Sequence, residues 1–392
     1  MAESIKNTYP LTKKYIDHNP YNCLGILWSD SKKLRIKKTT ELKRYLEVSQ
    51  VPEDFRPIYT GHSYIPLLEI GEEGFDSMEQ ALTNDRDRLI SSLFAFGSLD
   101  DVVDPVVIEM LKTEKNAGVN EELVTLWNDQ IKTWWWESIH RFSASMNLSA
   151  YYFNLGESFW TEGLKVKSKA LEGSMINYLY EYIDIDQQKY PIDKVIDLLS
   201  EVLYEKFQSL TIQSQTNILM ALESAKGVCE VGFMRFVARR KENELKSNIE
   251  SVEEDLSKSF DSLDKSEKYI KIYIEQFNLL RLVPIDKIKL SQLAKEAKDS
   301  IRRPLVRNWN KNSNISSAYA SACIRITTGF LSLPLGISER DSTLSDKEHF
   351  EREMHNIKAQ EPSVERFFES IPGWLKWVLA FILFGTLLEL FD

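Results

Sequence analysis

Asp100-Asp101-Val102-Val103-Asp104 sets three carboxylates directly behind an apolar run, Arg88-Leu-Ile-Ser-Ser-Leu-Phe-Ala-Phe-Gly-Ser-Leu99. Read as one buried helix, this stretch turns Asp100, Asp101 and Asp104 roughly one way. Its end then presents clustered anionic oxygens, the ligands that a hard cation such as Mg²⁺ takes. That arrangement could hold a diphosphate above an apolar pocket. The other reactive residue types offer less: His62, His140 and the remaining histidines lack metal-ligand spacing. No Ser-His-Asp signature, phosphate-binding glycine loop or dinucleotide-binding glycine pattern is visible, so hydrolase, nucleotide-hydrolase and redox chemistry have no sequence support.

The DDxxD run after an aromatic segment resembles the aspartate-rich motif of class I terpenoid synthases, the terpene cyclases and their squalene and phytoene synthase relatives. Leu126-Trp127, Arg141-Phe142, Tyr151-Tyr152 and Glu157 are similar to the pattern that follows this motif in the cyclases. Tyr178-Leu179, Pro191 and Asp197-Leu198-Leu199 are similar to the segment that carries the family's diphosphate-sensing arginine, whose place Tyr182 and Ile183 take here. Asn243 and Ser247 match the second metal motif, one helical turn apart on one face, with Ser251 where the family has Glu.

What the resemblance implies is a mainly α chain, a single large α-helical bundle that ionises a prenyl diphosphate. Mg²⁺ would be held by Asp100, Asp101 and Asp104, with Asn243 and Ser247 binding another ion, and Asp100 and Asp101 carrying catalysis through metal-assisted departure of the diphosphate. A leaving diphosphate needs further cations, and Arg235, Arg239, Arg240 and Lys246 could supply them. Equally, they form a basic patch balancing nearby acids. Phe94, Phe96, Trp127 and Phe153 would shield a carbocation with their ring faces, or are ordinary core.

The elements that must position these residues follow from periodicity. With 392 residues, 43% of them hydrophobic, the chain can bury a sizeable core. From Asp76 to about Asn310 it reads as successive helices, among them Val124 to Phe142, Asp193 to Phe207, Thr216 to Arg240 and Lys268 to Leu282. Breaks are expected at Gly173, Pro191 and Pro284. Residues 1–75 look mixed or irregular, with a β-compatible run from Tyr21 to Trp28. The helical domain is expected over 76–338, and a polar stalk over 339–373.

The stalk leads to 374–391, almost wholly apolar and about 27 Å long as a helix, enough to cross a bilayer core. Trp374, Lys376 and Trp377 at its entry leave the bulk of the chain on the cytosolic side. A buried or surface-lying C-terminal helix is the alternative. The N-terminus has no apolar core of a signal peptide, and Cys23, Cys229 and Cys323 are too few and too far apart for paired-cysteine zinc.

With 59 acidic against 49 basic residues, a net charge of −10 and no long basic stripe, no nucleic-acid partner is expected. Trp134-Trp135-Trp136 cannot all face one core from a helix, so at least one indole is exposed or meets a partner. Two functions therefore stand at this stage. One is a Mg²⁺-dependent terpene synthase anchored where its lipophilic product partitions. The other is a non-catalytic, tail-anchored helical interaction or effector protein, with a protein partner and an acidic run that is only solvated.

Overall fold

The computed structural model describes residues 11–50, 58, 67–99, 107, 109–111, 119–133, 138–258, 263–311 and 315–360; among them helices dominate and no strand occurs. The mainly α character expected from periodicity is therefore observed. The chain divides into two compact units, Met1–Glu242 with Leu279–Pro284, and Asn243–Asn278 with Ile285–Asp392, where one bundle over 76–338 was expected.

The first unit begins with a region that sequence reading left mixed or β-compatible, and most of its described residues are helical. Asn19 decides this: its side-chain oxygen accepts from Tyr21 N at 3.0 Å and Pro20 sits at the first helical position, so Pro20–Cys23 (α1) coils instead of extending. The Asn19 amide also donates to the carbonyls of Tyr15 and Ser91, tying this turn to the helix that carries Ser91. Lys32–Glu47 (α2) starts at Ser31, whose hydroxyl accepts from Leu34 N. Leu67–Thr83 (α3) is broken at Gly71, where φ is +67°. Asp85–Leu93 (α4) is capped by Asn84.

Glu121–Thr133 (α5), Ser138–Leu155 (α6) and Trp160–Leu171 (α7) form the middle of the unit. Helix α6 is buried on all sides from Phe142 to Tyr151. Its Ser143, Ala144, Ser145, Ser149 and Ala150 are small enough to let neighbouring elements approach closely. Ile176–Ile183 (α8), Ile192–Ser209 (α9) and Ile212–Leu222 (α10) follow, with the expected breaks at Gly173 and Pro191. The helix expected over Thr216–Arg240 is two helices, because Val228–Lys258 (α11) starts afresh after Gly227. A β-carbon at Gly227 would collide with Glu230 and Ser168, so the chain must turn there.

The second unit contains the later part of α11, most of Leu263–Leu280 (α12), and Lys287–Lys311 (α13), Ser317–Leu331 (α14) and Ile337–Gln360 (α15). Trp309 is its hub, 4.6 Å from Phe350 and 6.1 Å from Tyr319 between ring centroids. Residues 337–360, which include the start of the expected stalk, pack here: Thr343 and Phe350 are buried, and Arg302 forks onto both carboxylate oxygens of Asp346. Among the described residues no helix is long and apolar enough to cross a membrane. The segment 374–391, on which the anchor was placed, lies outside the described residues, as do Trp134, Trp135 and Trp136.

Candidate functional site

The apolar run before the acidic cluster is not one helix. Helix α4 ends at Leu93, and Phe94–Leu99 leave it as non-helical backbone, contrary to the expected helix through Leu99. The reason is a set of hydrogen bonds that compete with the helical ladder. Asn154 Nδ2 donates to Phe94 O at 3.2 Å, and Trp28 N donates to Phe96 O at 3.0 Å. The Asn147 side chain accepts from Gly97 N and donates to Gly97 O, both at 2.9 Å, and Ser98 N donates to Ser29 Oγ at 2.8 Å. Gly97 is required, since a β-carbon there would overlap the indole of Trp28. Asp100, Asp101 and Asp104 themselves lie outside the described residues.

The four aromatics expected to line a pocket are brought together, in two pairs. Phe94 meets Phe153 edge-on with centroids 5.3 Å apart, and Phe96 stacks on Trp127 at 6.2 Å. Phe94, Phe96 and Trp127 are fully buried and Phe153 all but so. Their neighbours are equally close: a β-carbon at Gly163 would strike the Phe153 ring, and Tyr151 tilts against Trp127 at 5.7 Å. Phe96 and Trp127 belong to a core cluster with Ile58, Val107, Leu111, Leu123, Ile131 and Leu148. These rings spend their faces on one another, as core aromatics do.

The expected diphosphate cations and second metal motif lie along α11. Arg239 and Arg240 are exposed; Arg239 is ion-paired with Asp197, and both guanidiniums lie over the Phe236 ring, at 5.7 and 5.1 Å. Lys246, Asn243 and Ser247 are exposed and fall in the second unit. Asn243 and Ser247 offer two neutral oxygens, a poor divalent site without carboxylates. Among the described residues no group of three His, Cys, Asp or Glu could hold a metal ion.

Sequence reasoning missed a polar cluster inside the first unit. Lys167 on α7 is fully buried, its ammonium 3.4 Å from the thioether of Met146, and burial holds its pKa down to about 7. Beside it, Ser168 Oγ accepts from Cys229 N and donates to Glu230, each at 2.9 Å, and so caps the start of α11. Burial pushes the Cys229 thiol up to about 12, so it is not a thiolate nucleophile at neutral pH. The signal was present in the spacing: Gly163, Leu164, Ala170 and Leu171 mark the buried stripe of α7, and Lys167 falls in it.

A small open cleft in the second unit is lined by Ile301, Leu305, Phe330 and Phe350 together with Lys298 and Arg302. Its cations are spoken for. Arg302 holds Asp346, and Lys298 bonds Ser342 Oγ at 3.2 Å and pairs with Asp299 at 3.1 Å. No family model matches the chain, and neither a characterised protein nor a solved structure is found to be similar to it.

Proposed function

We propose that this chain is a non-catalytic helical interaction protein that works at a membrane, with the apolar segment 374–391 as its anchor and its helical part on the cytosolic side. One observation carries the reading. The rings that would have to surround a carbocation, Phe94, Phe96, Trp127 and Phe153, are consumed by packing on one another and on the core of the first unit. The pairing of Arg239 with Asp197 supports it too, since a diphosphate would have to displace that carboxylate.

A second reading, a Mg²⁺-dependent terpene synthase acting on a prenyl diphosphate, keeps its support from Asp100-Asp101-Val102-Val103-Asp104, which follows directly on the clasped segment Phe94–Ser98. In that reading Mg²⁺ is held by the three aspartates, and the described residues contribute only the neutral oxygens of Asn243 and Ser247. The deciding experiment is pyrophosphate release by the full chain from geranyl, farnesyl and geranylgeranyl diphosphate, with and without Mg²⁺. The interaction reading expects none. Release that requires Mg²⁺ and disappears in Asp101→Ala would replace it with the synthase reading.

A further inference from the structure

Helix α2, Lys32–Glu47, is strongly basic and carries most of its cations on exposed positions. It holds seven basic residues against two acidic ones in a chain whose net charge is −10. These cations make no long basic run in the sequence, for a reason of periodicity. The cations are interleaved with apolar residues along the sequence, and only the helical turn sorts them.

Arg35, Thr39, Leu42 and Leu46, at spacings of four, three and four, form the buried face. Arg35 is held there by the Asp30 carbonyl, at 3.3 Å. On the opposite side Lys33, Lys37 and Arg44, at spacings of four and seven, make one exposed line, with Lys32 at its N-terminal end. Lys43 and Lys38 are neutralised by Asp76 and Asp30, at 3.0 and 2.6 Å. Lys37 is only loosely paired, 3.9 Å from Glu41, and Lys32, Lys33 and Arg44 show no carboxylate partner among the described residues.

Apolar side chains flank this line and stand in water. Ile36 is 56% exposed on one side, Leu34 39% and Tyr45 36% on the other, and Val48, which closes the helix, 62%. Unpaired cations alone would suit any anionic partner. Interleaved with exposed aliphatic side chains, they suit a surface that offers anionic headgroups at one depth and hydrocarbon just below it.

We infer that the exposed face of α2 docks on an anionic lipid surface, Lys33, Lys37 and Arg44 meeting the headgroups and Leu34, Ile36 and Val48 lying beside them in the interfacial layer. The inference rests on the reading of the chain as a protein that works at a membrane. It adds a second contact, sensitive to lipid charge, to the hydrophobic anchor of that reading.

The test is co-sedimentation of the full chain with vesicles of phosphatidylcholine alone and of phosphatidylcholine with phosphatidylserine, for the wild type and for the triple variant Lys33→Gln, Lys37→Gln, Arg44→Gln. The three positions are exposed, so the substitutions leave the core intact. A control triple variant, Lys226→Gln, Lys287→Gln and Lys311→Gln, removes the same charge from exposed positions elsewhere. The wild type and the control are expected to bind serine-containing vesicles more tightly, with the gain lost in high salt. Each cation near an anionic bilayer is worth roughly fivefold in partitioning, so the α2 variant should lose on the order of a hundredfold on those vesicles. Its binding to neutral vesicles should not change.

Equal loss in the control variant, or wild-type binding indifferent to phosphatidylserine, overturns the inference. So does a result in which the α2 variant loses binding to polyglutamate or to a DNA duplex but not to vesicles, which would assign the face to a protein or nucleic-acid partner. Pyrophosphate release is read separately. Mg²⁺-dependent release would overturn the interaction reading while leaving the vesicle comparison to stand on its own.

Discussion

The side chain of Asn147 holds both polar atoms of Gly97, its Oδ1 accepting from the N–H and its Nδ2 donating to the carbonyl, each at 2.9 Å. A buried asparagine here does what a neighbouring strand would do for an extended residue. Replacing Asn147 by Ala leaves that donor and acceptor unpaired in a site where Asn147 itself is fully buried. The expected loss is about 2–4 kcal/mol in urea unfolding, one unsatisfied Gly97 group for each of the two lost hydrogen bonds. A loss below about 1 kcal/mol would mean that water or a backbone shift replaces the clasp.

Gly97 tests the same segment by crowding. A methyl group there would overlap the indole ring of Trp28, which is fully buried and cannot swing away. Gly97→Ala should therefore cost about 3 kcal/mol. Gly71→Ala, where φ of +67° and ψ of 178° lie in a region open essentially to glycine alone, should cost about 1–3 kcal/mol through backbone strain, with nothing near the added carbon. Thermal unfolding of both variants measures the two costs, and a loss below about 1 kcal/mol for Gly97→Ala would sink the account of a backbone pressed against the Trp28 indole.

Lys167 predicts a slope in stability against pH. Burial lowers its pKa to about 7 in the folded chain from an ordinary 10.5. Between those values the unfolded chain holds a proton that the folded chain does not, so stability rises with pH across that window. Below it both states are protonated, and the folded state bears the full cost of a buried ammonium. Lys167→Met should raise stability by on the order of 3 kcal/mol at pH 7 and flatten that slope. Denaturant midpoints from pH 6 to 10 measure both, and a destabilised variant with the slope intact would show that the amine has a partner worth keeping.

The helical periodicity of α9 and α12 and the breaks at Gly173 and Pro191 were legible because apolar spacing and glycine or proline punctuation are local properties. What was not legible rests on contacts between residues far apart in sequence. Helix α4 stops at Leu93 because Asn147, Trp28 and Ser29 claim the backbone after it, and none of them is near it in the chain. Tyr21–Trp28 reads as β-compatible until Asn19 is seen to cap the turn. The aromatics Phe94, Phe96, Trp127 and Phe153 pack in two pairs, and whether rings line a space or fill it is decided by packing, which composition does not encode. Lys167 was overlooked because a lysine is read as solvent-facing by default.

If the rings of the first unit fill the space they surround, a prenyl chain has no site there. Isothermal titration of the full chain with a non-ionising thiolo analogue of farnesyl diphosphate, in the presence of Mg²⁺, measures this without requiring turnover. The account predicts no saturable heat, and the same trace for the wild type and for Asp101→Ala. Saturable, Mg²⁺-dependent binding in the wild type that is lost in Asp101→Ala would contradict it, and would make the acidic run a diphosphate site after all.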